Sequence, residues 1–147
     1  MFVDADMLAL GDVADLFARR SGDVAVVKNR IGMEWCSMML FDNERCKVLT
    51  PSFVEDPKNA LFDLKWAKEI GDLPSLWNHC VGYDVPRTDA KLVHFTQGIP
   101  FHSETEGTEY VDEWRSELES CVSSVSWHEM MGNSVHAEHA RARLAAA

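Results

Sequence analysis

Two apolar stretches set the frame of the chain. Asp23 to Lys28 (D-V-A-V-V-K) and Cys36 to Phe41 (C-S-M-M-L-F) are apolar runs bounded by turn residues, and both predict buried strands. Ahead of them, Asp12 predicts a helix start, with Asp15 in the first turn, where the helix dipole favours a negative charge. Val13, Leu16 and Phe17 form its apolar stripe, Arg19-Arg20 suit its end, and Gly22 stops it. Residues 29–34, with Gly32, read as a connection. Asp56-Pro57 pairs a capping residue with a first-turn proline and predicts a second helix. Ala60, Leu61, Leu64, Ala67 and Ile70 keep its period, Trp66 joins the core, and Gly71 ends it. Leu73 to Tyr83 is irregular, and Lys91 to Phe95 (K-L-V-H-F) predicts a short strand. Residues 96–108 read as a loop rich in Gly, Thr and Glu. Tyr110, Trp114, Leu118, Cys121, Val122 and Val125 then mark an amphipathic helix, followed by an Ala-rich tail from Ser134. Strands alternating with helices give an α/β class.

The chain opens inside an apolar run: Met1-Phe2-Val3, then Asp4-Ala5-Asp6, then Met7 to Leu10. Polar, loosely ordered residues usually come first. The expectation is a strand cut short at its start, in a longer parent domain that has lost its N-terminal part.

Composition narrows the function. The 147 residues are 46% apolar, which suits one domain with a real core. Lys and Arg total 14 against 24 Asp and Glu, a formal net charge of −10. Such a balance disfavours nucleic acid and anionic membrane surfaces, which need clustered Lys and Arg. A phosphate-bearing ligand would need something other than net charge to neutralise it, and a metal held by carboxylates is one way. No apolar run reaches the ~18–20 residues of a membrane span, and no signal peptide is evident at the N-terminus. Cys36, Cys46, Cys80 and Cys121 form no C-x-x-C pair and read as free thiols in a reducing cytoplasm.

Three places carry candidate chemistry. Asp4 and Asp6, two apart in an extended chain, would face one side and converge outside the carboxyl end of their strand. Paired carboxylates there favour a hard divalent cation, Mn²⁺ or Mg²⁺. His94 ends an apolar strand. A lone histidine in that setting is ordinarily a hydrogen-bonded core residue. Placed beside Asp4 and Asp6 it becomes a ligand, and imidazole suits Mn²⁺ better than Mg²⁺. Gly98, just beyond, would let backbone amides approach an anion. Trp77-Asn78, near His79 and Tyr83, could stack on a sugar face and bond its hydroxyls. His128, His136 and His139 in the tail read as solvated.

Taken together, Phe2 to Phe17 (FVDADMLALGDVADLF) resembles the segment around the DxD motif of GT-A glycosyltransferases, above all the family 8 and glycogenin-like group. Cys36 to Asn43 is similar to that group's "NSGVMLF(N)" strand. Leu73 to Asn78 is similar to its "LP…WN" segment, and Leu92 to Gly98 to its late "HF…G" motif. The four blocks keep the group's order over about two thirds of the chain.

The resemblance implies a fold and a set of roles. The fold would be the C-terminal part of a GT-A domain, its Rossmann-like N-terminal half missing, with residues 1–126 as the metal and acceptor side and 127–147 as a tail. Asp4, Asp6 and His94 would hold Mn²⁺ or Mg²⁺. Asp4, Asp6, Ser37 and Gly98 would bind a nucleotide-diphospho-sugar donor such as a UDP-sugar. Trp77 and Asn78 would meet a sugar or glycan acceptor. The activity implied is metal-dependent glycosyl transfer. Two features of the group are absent: its late Lys-Pro-Trp, replaced here by Gly98-Ile99-Pro100-Phe101, and its acceptor-side Asp-Gln-Asp. The chain alone is expected to bind donor weakly or not at all. The alternatives are a non-catalytic α/β interaction module using Trp77, Tyr83 and the 110–125 helix, or an inactive fragment.

Overall fold

The computed structural model describes residues 1–29, 32–101, 103–126, 129–130, 132–134 and 138. Two compact units divide the chain, Met1–Glu109 and Tyr110–Ala147. Every residue of the expected metal, donor and acceptor sets lies in the first unit. The expected boundary at 126/127 falls inside the second. His128, His136 and His139 lie outside the described residues.

The first unit is mixed α/β and carries two mixed sheets. One has the order β1-β4-β3-β5, formed by Phe2–Val3 (β1), Met38–Phe41 (β4), Val24–Val26 (β3) and Ile70–Asp72 (β5). Its pairs β1/β4 and β3/β4 are antiparallel and β3/β5 is parallel. The second has the order β2-β7-β6, formed by Met7–Ala9 (β2), Leu92–His94 (β7) and His79–Cys80 (β6). Here β2/β7 is antiparallel and β6/β7 parallel.

The predicted strands at 23–28 and 36–41 are the centre of the first sheet. Strand side chains alternate between faces, so a strand buried on both reads as a continuous apolar run. On β3, Val24 and Val26 join one core cluster with Leu64 and Trp66, while Ala25 joins the other with Leu40, Trp77 and Leu92. On β4, Met38 and Leu40 face one cluster, and Met39 and Phe41 the other. Phe41 stacks on Trp66 with ring centroids 6.1 Å apart. β4 starts two residues later than predicted, because Gly32–Ser37 turns as a 3-10 helix. The helix predicted from Asp12 shrinks to Ala14–Phe17 (α1). Asp12 Oδ1 still accepts from the Ala14 amide at 2.9 Å, and Leu16 is fully buried.

The helix predicted from Asp56 does not form. Thr50-Pro51 carries the same kind of start signal and takes the helix: Thr50 Oγ1 accepts from the Phe53 amide, and α2 spans Pro51–Glu55. Asp56, at φ −76° and ψ 114°, is extended, as the residue before a proline prefers. Pro57 therefore marks the end of a helix. Downstream, Leu61–Asp63 makes a single 3-10 turn and Leu64 turns left-handed at φ 56°. The Lys68 and Glu69 amides are drawn to the Asp23 carboxylate at 2.6 and 3.3 Å instead of to helical carbonyls.

Gly71 is likewise no helix stop. It sits in mid-strand in β5, against the turn at Ser21-Gly22, and a Cβ there would collide with the Ser21 hydroxyl and carbonyl. Lys91, just before β7, ties the second sheet to α1 and to the turn at Leu76. Its amide donates to the Leu76 carbonyl (2.7 Å), and its own carbonyl accepts from the Leu10 and Gly11 amides (2.9 and 3.0 Å). Its ammonium pairs with Asp15 at 2.5 Å and lies 5.3 Å from the Trp77 ring centre. In the second unit, the amphipathic segment predicted from Tyr110 forms Val111–Val122 (α3), entered through Tyr110 in a left-handed conformation at φ 60°.

Two predictions follow from these contacts. Gly71→Ala is expected to destabilise the chain by about 1–3 kcal/mol through overpacking, read by urea denaturation. A glycine inside a helix would gain stability from the same change. Asp23 is buried and accepts from Lys68, Glu69 and Arg45 (Nε to Oδ1, 2.7 Å). The Lys68 amide above all, helped by the Glu69 amide and Arg45 against the cost of burial, pulls its pKa below the usual carboxylate value. Its stabilising effect is thus in place above an unfolded pKa of about 3.9 and is lost as pH falls through the lower folded value. Asp23→Asn should be less stable than wild type at pH 7, the gap closing on acidification below that range.

Candidate metal centre

Asp4, Ala5 and Asp6 are the link by which the chain leaves the first sheet and enters the second. β1 ends at Val3, Ala5-Asp6 turn, and β2 begins at Met7. Both ends of the link are pinned through the backbone. The Asp4 amide donates to the Ser37 carbonyl at 2.9 Å, and the Phe95 amide donates to the Asp6 carbonyl at 3.0 Å. Since β7 pairs with β2 in the register Met7↔His94, the imidazole of His94 is carried beside Asp6.

One potential ligand atom from each of Asp4, Asp6 and His94 lies within 4.8 Å of the others. The grouping is the one expected from the sequence, but its cause differs. Alternation along a strand does not align the carboxylates; a turn between two sheets does. His94 is buried, with Nε2 3.4 Å from Asp6 Oδ1 and Nδ1 3.5 Å from Glu34 Oε2. Two carboxylates and an imidazole form a donor set suited to a hard or borderline divalent cation.

Glu34 is the residue that sequence reading missed. It lies in the 3-10 turn Gly32–Ser37, and its carboxylate accepts from Ser37 Oγ at 2.7 Å while facing His94. A carboxylate at one imidazole nitrogen favours the proton there and leaves the other nitrogen to face a cation. Asn78 fixes the turn from behind: its Nδ2 donates to the Glu34 carbonyl at 2.9 Å. The one available signal was a lone acid two residues before an apolar strand, which carries no periodicity.

The other expected site residues divide. Ser37 is brought to the centre, with its hydroxyl on Glu34. Gly98 has φ 109°, a conformation that favours glycine, but its amide donates to the Phe95 carbonyl at 2.8 Å within a turn. Trp77 and Asn78 are corrected. Trp77 is 1% exposed inside the core and Asn78 is fully buried, so neither presents a face to an acceptor. His79 is also buried, with Nε2 3.3 Å from Glu109. A cleft of about 440 Å³, lined by Asp4, Glu34, Cys36, Ser37 and Phe62, opens beside the centre.

No protein-family profile matches the chain, and no solved structure matches it. Among curated proteins it is similar to Protein CDI of Arabidopsis thaliana, with 29% identity over 150 aligned positions. The alignment covers 81% of this chain and 57% of that protein, so the chain spans a little over half the length of this relative. No helix among the described residues is long and apolar enough to cross a membrane.

Cys80 backs the centre, its Sγ 4.0 Å from His94 Nδ1. Burial, with Asp84 and Glu34 nearby, pushes its thiol up to about 12. Burial likewise raises Cys36 and Cys46. These thiols stay protonated at neutral pH and are poor nucleophiles and metal ligands. Cys121, in the second unit, is exposed. Iodoacetamide at pH 8 should label Cys121 first, and Cys36, Cys46 and Cys80 only on unfolding, as read by peptide mass analysis.

Proposed function

We propose that this chain is the metal- and acceptor-side part of a nucleotide-sugar-dependent glycosyltransferase. The observation that carries the reading is the meeting of Asp4, Asp6 and His94, residues some ninety positions apart, on the side-chain types that the DxD resemblance requires. An acidic chain would thereby bind a diphosphate through a cation. Asp4, Asp6 and His94 would hold Mn²⁺ or Mg²⁺, which when bound supplies Lewis-acid neutralisation of charge on the departing nucleoside diphosphate.

The chain's own residues contribute alignment. Glu34 beside Nδ1 orients the imidazole with Nε2 toward Asp6. The Ser37 hydroxyl donates a hydrogen bond to the Glu34 carboxylate, and Asn78 anchors the Glu34 backbone. The Gly98 amide is already spent on Phe95, which leaves the diphosphate to the cation. The donor, the acceptor and transfer itself belong to the proposal. So does placement in the cytoplasm, toward which the free thiols point. An interaction module built on Trp77 loses its anchor, because that indole is in the core.

Mn²⁺ is expected to raise the Tm of the wild-type chain, and the effect should vanish in Asp4→Asn/Asp6→Asn. Indifference of the wild type to Mn²⁺ would remove the basis of the proposal. Glu34→Ala should weaken Mn²⁺ binding by about 10–100-fold, measured by titration with electron paramagnetic resonance, with Asp4 and Asp6 intact.

A further inference from the structure

Phe62 is 80% exposed, although its backbone is held from two sides. Trp66 Nε1 donates to the Leu61 carbonyl at 3.0 Å, and the Cys36 thiol donates to the Phe62 carbonyl at 3.2 Å. The turn closes through Leu64, which is buried and left-handed. The fold thus fixes the backbone from which an uncovered aromatic side chain projects. A backbone held in advance removes part of the entropic cost of binding through the residue it carries.

Phe62 lines the cleft beside the metal centre. Among the described residues, the other polar side chains of that cleft are the carboxylates of Asp4 and Glu34 and the hydroxyl of Ser37. The Ser37 hydroxyl already donates to Glu34 at 2.7 Å, so these described groups offer acceptors. The cleft pairs an apolar flat with a set of hydrogen-bond acceptors. A pyranose matches both, with a C–H face for the ring and hydroxyl donors for the carboxylates. The Asp4 and Glu34 carboxylates disfavour a bare anion beside them. A purely apolar occupant would strip water from Asp4 and Glu34 without replacing its hydrogen bonds.

We infer that Phe62 is the stacking platform of a sugar subsite beside Asp4 that takes a neutral hexopyranose ring. The inference deepens the glycosyltransferase reading and rests on it only for the biological source of the sugar. It is tested on the full chain by saturation-transfer NMR in EDTA, with the methyl glycosides of glucose, galactose and mannose, and uridine as a separate probe. At least one glycoside should receive saturation on the C–H protons of one ring face. That transfer should fall by roughly 3–10-fold in Phe62→Ala and persist in Phe62→Trp. Phe62 is exposed, and an unchanged circular dichroism spectrum checks that Phe62→Ala is folded. No transfer to any glycoside in the wild type, equal transfer in Phe62→Ala, or transfer to uridine alone would overturn the subsite. Because metal is chelated throughout, a failed Mn²⁺ response would sink the enzymatic reading and leave this result standing, and the reverse holds as well.

Discussion

The chain must cross from one sheet to another within three residues, and the candidate centre depends on how that crossing is held. A free Asp-Ala-Asp turn would sample many conformations, and ordering it would cost roughly 1–2 kcal/mol per residue. Here the cost is met by the sheets themselves. The Asp4 amide is fixed to the residue before β4, and the Asp6 carbonyl to the residue after β7. The backbone that carries the two carboxylates therefore inherits the rigidity of both sheets, and His94 arrives by strand register rather than by loop closure.

Behind the crossing lies a layer of polar groups in contact: Glu34, Ser37, Asn78, Cys80 and His94. Buried polar groups that lack partners cost more than their hydrogen bonds return, so such a layer is sustained only when its members satisfy each other. Asn78 shows the logic. It is fully buried, its Nδ2 is given to Glu34, and its Oδ1 accepts from the Cys80 thiol at 3.8 Å. The residue that sequence reading assigned to a sugar acceptor acts instead through a neighbouring backbone.

What the sequence disclosed depended on the range of the forces involved. The strands at 24–26 and 38–41 were legible because burial on both faces writes a continuous apolar run. The stretch from 56 to 71 was misread because its apolar spacing suits a helix, while the deciding contacts come from far away. Asp23 captures the amides of Lys68 and Glu69, and an equivalent start signal lies six residues earlier at Thr50-Pro51. Asp4, Asp6 and His94 were legible as residue types in ordered motifs. Trp77 was not placed, since an indole in a core and an indole in a cleft have the same letter. Glu34 left no trace, because its role exists only once a 3-10 turn brings it to the imidazole.

The seam at Lys91 has a consequence for proteolysis. Nearly two fifths of its side chain is accessible, and it follows a stretch without regular structure, features that ordinarily invite trypsin. Yet a serine protease must take the scissile peptide into an extended strand of its own, and both faces of this residue's backbone are taken. Its amide is held by Leu76, and its carbonyl by two donors from the chain that follows β2. Cutting after Lys91 would first require the second sheet to come apart. Resistance of that single bond to digestion is thus a measure of how tightly the second sheet is held together.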